Sequence, residues 1–109
     1  MKRYCIDPEQ LQYVIDCLPK NELLCQLAEE ASELAQAALK LRRVYDQTNP
    51  TPVPKEEAIK NLLEEVADVW LIVKTLGLDQ TTFVEEYQKT MARKTNRWAN
   101  RLDEQEVNA

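Results

Sequence analysis

Asn61-Leu62-Leu63-Glu64-Glu65-Val66-Ala67-Asp68-Val69-Trp70-Leu71-Ile72-Val73 is the stretch on which the fold turns. Its apolar residues cover nearly the whole circumference of a helix. A helix apolar all round must be buried all round. A chain of 109 residues can hardly surround one of its helices with the others. The stretch therefore predicts a self-association surface, giving a dimer or a larger assembly. Two acids, Glu65 and Asp68, interrupt this apolar run on a shared face. Aspartate is a poor mid-helix residue, and an acid among apolar neighbours is rarely buried unless paired.

The whole chain reads as helix. Upstream, Asp46-Gln47-Thr48-Asn49-Pro50-Thr51-Pro52-Val53-Pro54 carries prolines at alternate positions, which forbid helix and favour an extended linker. Before it, Leu23, Leu27, Leu34, Ala38 and Leu41 give a helix from Asn21, as its cap, to about Tyr45. Cys25 falls among leucines there and is expected to pack as a small core residue. Asp7-Pro8-Glu9-Gln10 reads as a helix start, with Asp7 as N-cap and a stop near Pro19. Downstream, the third helix runs from about Lys55 to Leu76, where Gly77 is a natural stop. Asp79 can cap a fourth helix running to about Leu102, with a frayed polar tail over 103–109. No sustained alternation supports a strand. The expectation is one all-α domain over 1–109, a four-helix, bundle-like fold.

Composition excludes much chemistry. There is no histidine, which removes Ser-His and Cys-His machinery and most zinc sites. One glycine, Gly77, cannot build a Gly-rich phosphate loop. The three cysteines, Cys5, Cys17 and Cys25, have no metal or disulfide spacing. Net charge is −5, no run is long and apolar enough to span a bilayer, and Met1-Lys2-Arg3 leads into a polar stretch rather than a signal sequence. A cytoplasmic protein without a membrane partner is expected.

A second acidic signature, Glu29-Glu30-Ala31-Ser32-Glu33, lies on the second helix. Glu30 and Glu33 share one face, as do Glu65 and Asp68. Bringing the two faces together gathers four carboxylates, which need a cation or shared protons. Oxygen-only ligand sets select hard ions such as Mg²⁺ or Mn²⁺. Gln26 lies on the stripe of Glu30 and Glu33, and Asn61 on that of Glu65 and Asp68, as amides able to hold the ligands. The competing reading is a structural salt-bridge network, or a solvated acidic face.

The pair of signatures, Glu29-Glu30-x-x-Glu33 and Glu65-x-x-Asp68, resembles the E-E-x-x-E … E-x-x-D pattern of MazG-like proteins, in the all-α nucleoside triphosphate pyrophosphatase superfamily. The interval from Glu33 to Glu65 is longer than in compact members, and the Pro-rich linker accounts for it. The resemblance implies a helical bundle that assembles as a dimer or larger. It implies Mg²⁺-dependent hydrolysis of a nucleoside triphosphate, NTP or dNTP, to the monophosphate and pyrophosphate. It assigns Glu30, Glu33, Glu65 and Asp68 as metal ligands. Glu29, about 100° round the helix, is assigned to orient the attacking water or bind a second ion; its competing reading is a surface glutamate.

Lys89, Arg93, Lys94, Arg97 and Arg101 fall in a stretch without an acid. Lys89, Arg93 and Arg97 step by four and share a face, with Arg101 extending it. They are expected to contact substrate phosphates; counter-charges for the chain's own acids are the simpler alternative. An acidic protein opposes nucleic acid as the partner. Tyr45, Trp70, Tyr87 and Trp98 are candidates to stack on a base; Trp70 is expected in the core or a dimer interface, and Trp98, beside Arg97, is a better stacking candidate, with an amphipathic interface residue as its equal alternative. The alternatives to an enzyme are a helical interaction module and a nucleotide-binding sensor.

Overall fold

A computed structural model describes residues 4–50 and 52–108. The start Met1 to Arg3, linker residue Thr51 and tail residue Ala109 lie outside the described residues. Four helices follow in order: α1 (Pro8–Cys17), α2 (Lys20–Tyr45), α3 (Lys55–Thr75) and α4 (Thr81–Asn108). No strand occurs among the described residues, so the protein is all-α. The chain divides into two units, 1–77 and 78–109.

Helix boundaries follow local chemistry. The Asp7 carboxylate accepts from the Glu9 N–H at 2.9 Å, and Pro8 occupies the first turn. Leu18 is extended because Pro19 follows, which ends α1 at Cys17. Pro19 itself is the N-cap of α2, so the cap expected at Asn21 is displaced by two residues; Asn21 lies within the first turn. Proline needs no N–H partner there and presets the turn. Pro54 plays the same part for α3, with Glu56 and Glu57 in the first turn beside the positive end of the helix dipole. Gly77 closes α3 at φ 72°, a left-handed conformation that disfavours any residue with a Cβ. Gln47 adopts φ 60° after α2, while the Thr48 N–H bonds to the Arg43 carbonyl at 2.9 Å.

In the first unit α2 and α3 form an antiparallel hairpin, with α1 set against α3. Leu23, Leu27, Leu34, Ala37, Leu41 and Val44 form the inner stripe of α2, alternating steps of four and three around Glu30. Ala58, Leu62, Val69 and Ile72 face them from α3, with Leu76 just past its end. Leu23 and Ala58 are the most enclosed apolar side chains, at 3% and 2% exposure. Two expected positions are corrected. Ala38 is exposed, because Ala37 takes the inner place one residue earlier. Cys25 is exposed, because Leu23 and Leu27 on either side already fill the seam.

The far side of α3 keeps its apolar residues in the open: Leu63 is 63% exposed, Val66 47% and Trp70 56%. Trp70 is therefore outside the core of the chain, and Lys74 Nζ lies over its ring, 5.4 Å from the centroid.

In the second unit α4 starts at Thr81, two residues beyond Asp79, and helical backbone continues through Asn108 rather than ending near Leu102. The Tyr87 hydroxyl donates to the Leu78 carbonyl, tying the helix to its leading turn. Val84, Tyr87, Met91, Trp98 and Leu102 form an exposed apolar stripe along it.

Candidate metal centre

The α2–α3 hairpin carries its acids where the inner stripes meet. Glu30 occupies a seam position of α2 and Glu33 lies at its edge, while Glu65 is a seam position of α3. One carboxylate oxygen from each of Glu30, Glu33 and Glu65 lies within 4.8 Å of the others. Oxygens on opposite sides of a Mg²⁺ or Ca²⁺ ion stand roughly 4 to 5 Å apart, so this spacing suits a hard divalent cation.

Electrostatics add to the geometry. Glu30 Oε2 and Glu65 Oε2 are shielded from solvent and accept no hydrogen bond. Such orphan oxygens are costly unless something binds them. The Glu30 and Glu65 charges, together with burial, push the Glu33 carboxyl above its ordinary value. Burial, then the charges of Asp68 and Glu30, push Glu65 up as well. Both shifts have the same physical root, since carboxylates crowded together favour holding a proton. Among the described residues no lysine or arginine forms an ion pair with Glu30, Glu33 or Glu65.

The other expected ligands and supports take distinct places. Asp68 stands outside the three-oxygen group; it bears on Glu65 from one turn further along α3 and lines a cavity with Glu30. Gln26 Nε2 donates to Glu30 Oε1 at 2.9 Å, which fixes that carboxylate and leaves its other oxygen unpartnered. Asn61 lines a groove with Glu33 and Glu65. Glu29 is exposed and outside the cluster. Lys89, Arg93, Arg97 and Trp98 belong to α4 in the second unit and are exposed, with Lys89 paired to Glu85 at 3.2 Å.

Two features escaped sequence reasoning. The first is a cavity of about 680 Å³ between α1 and the hairpin, with Glu30 and Asp68 at its acidic wall. The second is Lys40 and Arg43, which line the groove on the Glu33–Glu65 side. Lys40 follows Glu33 by seven residues, the spacing that returns to one helix face, so a signal was present.

No family model matches the chain, and no solved structure matches it significantly. Over 69 residues it is 36% identical to Rho-associated protein kinase 1 of Oryctolagus cuniculus. That similarity covers 62% of this chain and 5% of the kinase, so the chain spans about a twentieth of that protein's length.

Proposed function

We propose that the protein is a Mg²⁺-dependent, MazG-like nucleoside triphosphate pyrophosphohydrolase, which converts an NTP or dNTP to the monophosphate and pyrophosphate. One observation carries this reading: three converging carboxylates, two with orphan oxygens, at a spacing that suits a hard cation. Mn²⁺ shares the same ligand chemistry. When bound, the ion polarises a phosphoryl group and acidifies water. Glu30, Glu33 and Glu65 hold it, with Asp68 completing the set. Gln26 keeps Glu30 aimed, and Asn61 lies beside the ligands on the groove side. Glu29 orients the attacking water. Lys89, Arg93, Arg97 and Trp98 belong to the second unit, and their expected part in phosphate and base binding is a matter for substitution.

The same reading makes the protein a homo-oligomer, a dimer or tetramer, covering the apolar outer face of α3. It works in the cytoplasm, without nucleic acid or membrane. Among the described residues no helix is long and apolar enough to cross a membrane.

A helical interaction module is the second reading, favoured by the exposed apolar stripe of α4. The partial similarity to a stretch of Rho-associated protein kinase 1 is compatible with it. Thermal unfolding with Mg²⁺ and with nucleotide separates the readings. An interaction module ignores both ligands, a sensor is stabilised without making product, and the enzyme is stabilised and releases pyrophosphate.

A further inference from the structure

The acidic cluster lies between two depressions of opposite character, both within the first unit. Toward α1 lies the cavity of about 680 Å³, walled by Leu11, Val14, Leu18, Leu71 and Ile72. Its size falls in the range of about 300 to 1,000 Å³ usual for small-molecule sites. No lysine or arginine among the described residues lines it, while Asp7, Glu22, Glu30 and Asp68 do. Such a cavity repels phosphate and suits a neutral, flat, partly apolar group. Gln10, Gln26 and Thr75 add polar atoms, though the Thr75 hydroxyl is already engaged with the Leu71 carbonyl at 2.8 Å.

On the other side Glu33 and Glu65 open onto the groove, whose lining includes Lys40 and Arg43. Long helical side chains lean toward the N-terminal end of their helix. That tendency favours Lys40 reaching toward Glu33, while Arg43 marks the far end of the groove. Lys40 is half-buried, so part of its hydration is already gone. Arg43 is steadied by its Nε–H donating to Asn49 Oδ1 at 3.1 Å.

We propose that a nucleoside triphosphate lies along the hairpin across the acidic cluster, its nucleoside in the α1-side cavity and its polyphosphate tail toward Lys40 and Arg43. This rests on the pyrophosphohydrolase reading and deepens it. Lys40 and Arg43 become phosphate contacts that discriminate triphosphate from monophosphate. The walls of the α1-side cavity become the surface that senses the base.

Calorimetry with Mg²⁺ tests the orientation, using the four common nucleoside triphosphates in α,β-imido form and the corresponding monophosphates. Lys40→Met should weaken triphosphate binding roughly ten-fold or more and leave monophosphate binding within about two-fold. Val14→Trp, which fills the cavity, should weaken triphosphate and monophosphate by the same factor while Mn²⁺ affinity of the nucleotide-free protein stays unchanged. Gln10→Trp, at an exposed position of the same wall, gives the same test without touching the packed face of α1. Equal loss of both nucleotides in Lys40→Met, or unchanged binding in both tryptophan variants, overturns the orientation alone. A wild-type chain that binds Mn²⁺ but no nucleotide overturns the pyrophosphohydrolase reading, and the orientation with it.

Discussion

Glu33 concentrates the chemistry of the cluster in one side chain. It stands against Glu30 on its own helix and Glu65 on the next, and their charges raise its carboxyl above the ordinary value of 4.5. Glu65 is raised too, by burial and by Asp68 and Glu30. At these two groups the folded protein therefore holds more protons than the unfolded chain as pH rises past the ordinary value of 4.5. Stability without metal should fall as pH rises from there through the raised folded values. Mg²⁺ should reverse that fall, because it replaces the protons. Melting temperatures across pH, with chelator and with Mg²⁺, read this directly; a chelated protein that gains stability over that window would contradict it. Glu33→Gln removes one charge at nearly constant shape. It should abolish turnover and raise the melting temperature of the metal-free protein at neutral pH. Full activity in Glu33→Gln or Asp68→Asn would remove these residues from the site. Arg93→Ala should lower kcat/KM roughly ten- to a hundred-fold if Arg93 holds the leaving group. An unchanged rate, with salt-sensitive oligonucleotide binding, would instead mark α4 as a nucleic-acid surface.

At the scale of the element, helix ends and seams were legible to different degrees. Asp7, Pro8, Pro54 and Gly77 act locally, and the structure finds α1 and α3 starting and stopping where those residues demand. The start of α2 was misread because proline and asparagine compete for the cap, and only the backbone path decides between them. The inner face of α2 was read one residue off at Ala38, since 3.6-residue periodicity tolerates either neighbour until a partner helix selects one. Spacing pinned Glu30 with Glu33, and Glu65 with Asp68, each to one face; the pairing of α2 with α3 brings three of the four together and leaves Asp68 apart. Asp68 faces the cavity as well, and Lys40 with Arg43 went unnoticed, because neither sits inside an acidic motif. Two substitutions test the helix ends with opposite signs. Gly77→Ala should destabilise by roughly 1 kcal/mol, since alanine resists a left-handed backbone. Gln47→Gly should stabilise by on the order of 0.5 kcal/mol for the same reason. Urea midpoints measure both, and shifts of the same sign would contradict the backbone reading.

The whole molecule leaves much apolar surface in the open. In the first unit Leu63, Val66 and Trp70 are exposed on α3, and in the second Val84, Tyr87, Met91, Trp98 and Leu102 are exposed along α4. Exposed contiguous apolar surface of that kind marks an association site. Sedimentation at micromolar concentration should show at least a dimer, and Trp70→Glu should shift it toward monomer. A compact wild-type monomer at that concentration would contradict self-association. The enzyme reading is met most directly by pyrophosphate release from a panel of nucleoside triphosphates with Mg²⁺. Monophosphate and pyrophosphate should form in equal amounts from at least one of them, and both should vanish with chelator and in Glu33→Gln. No pyrophosphate from any triphosphate at saturating Mg²⁺, by a folded and metal-binding protein, would contradict it.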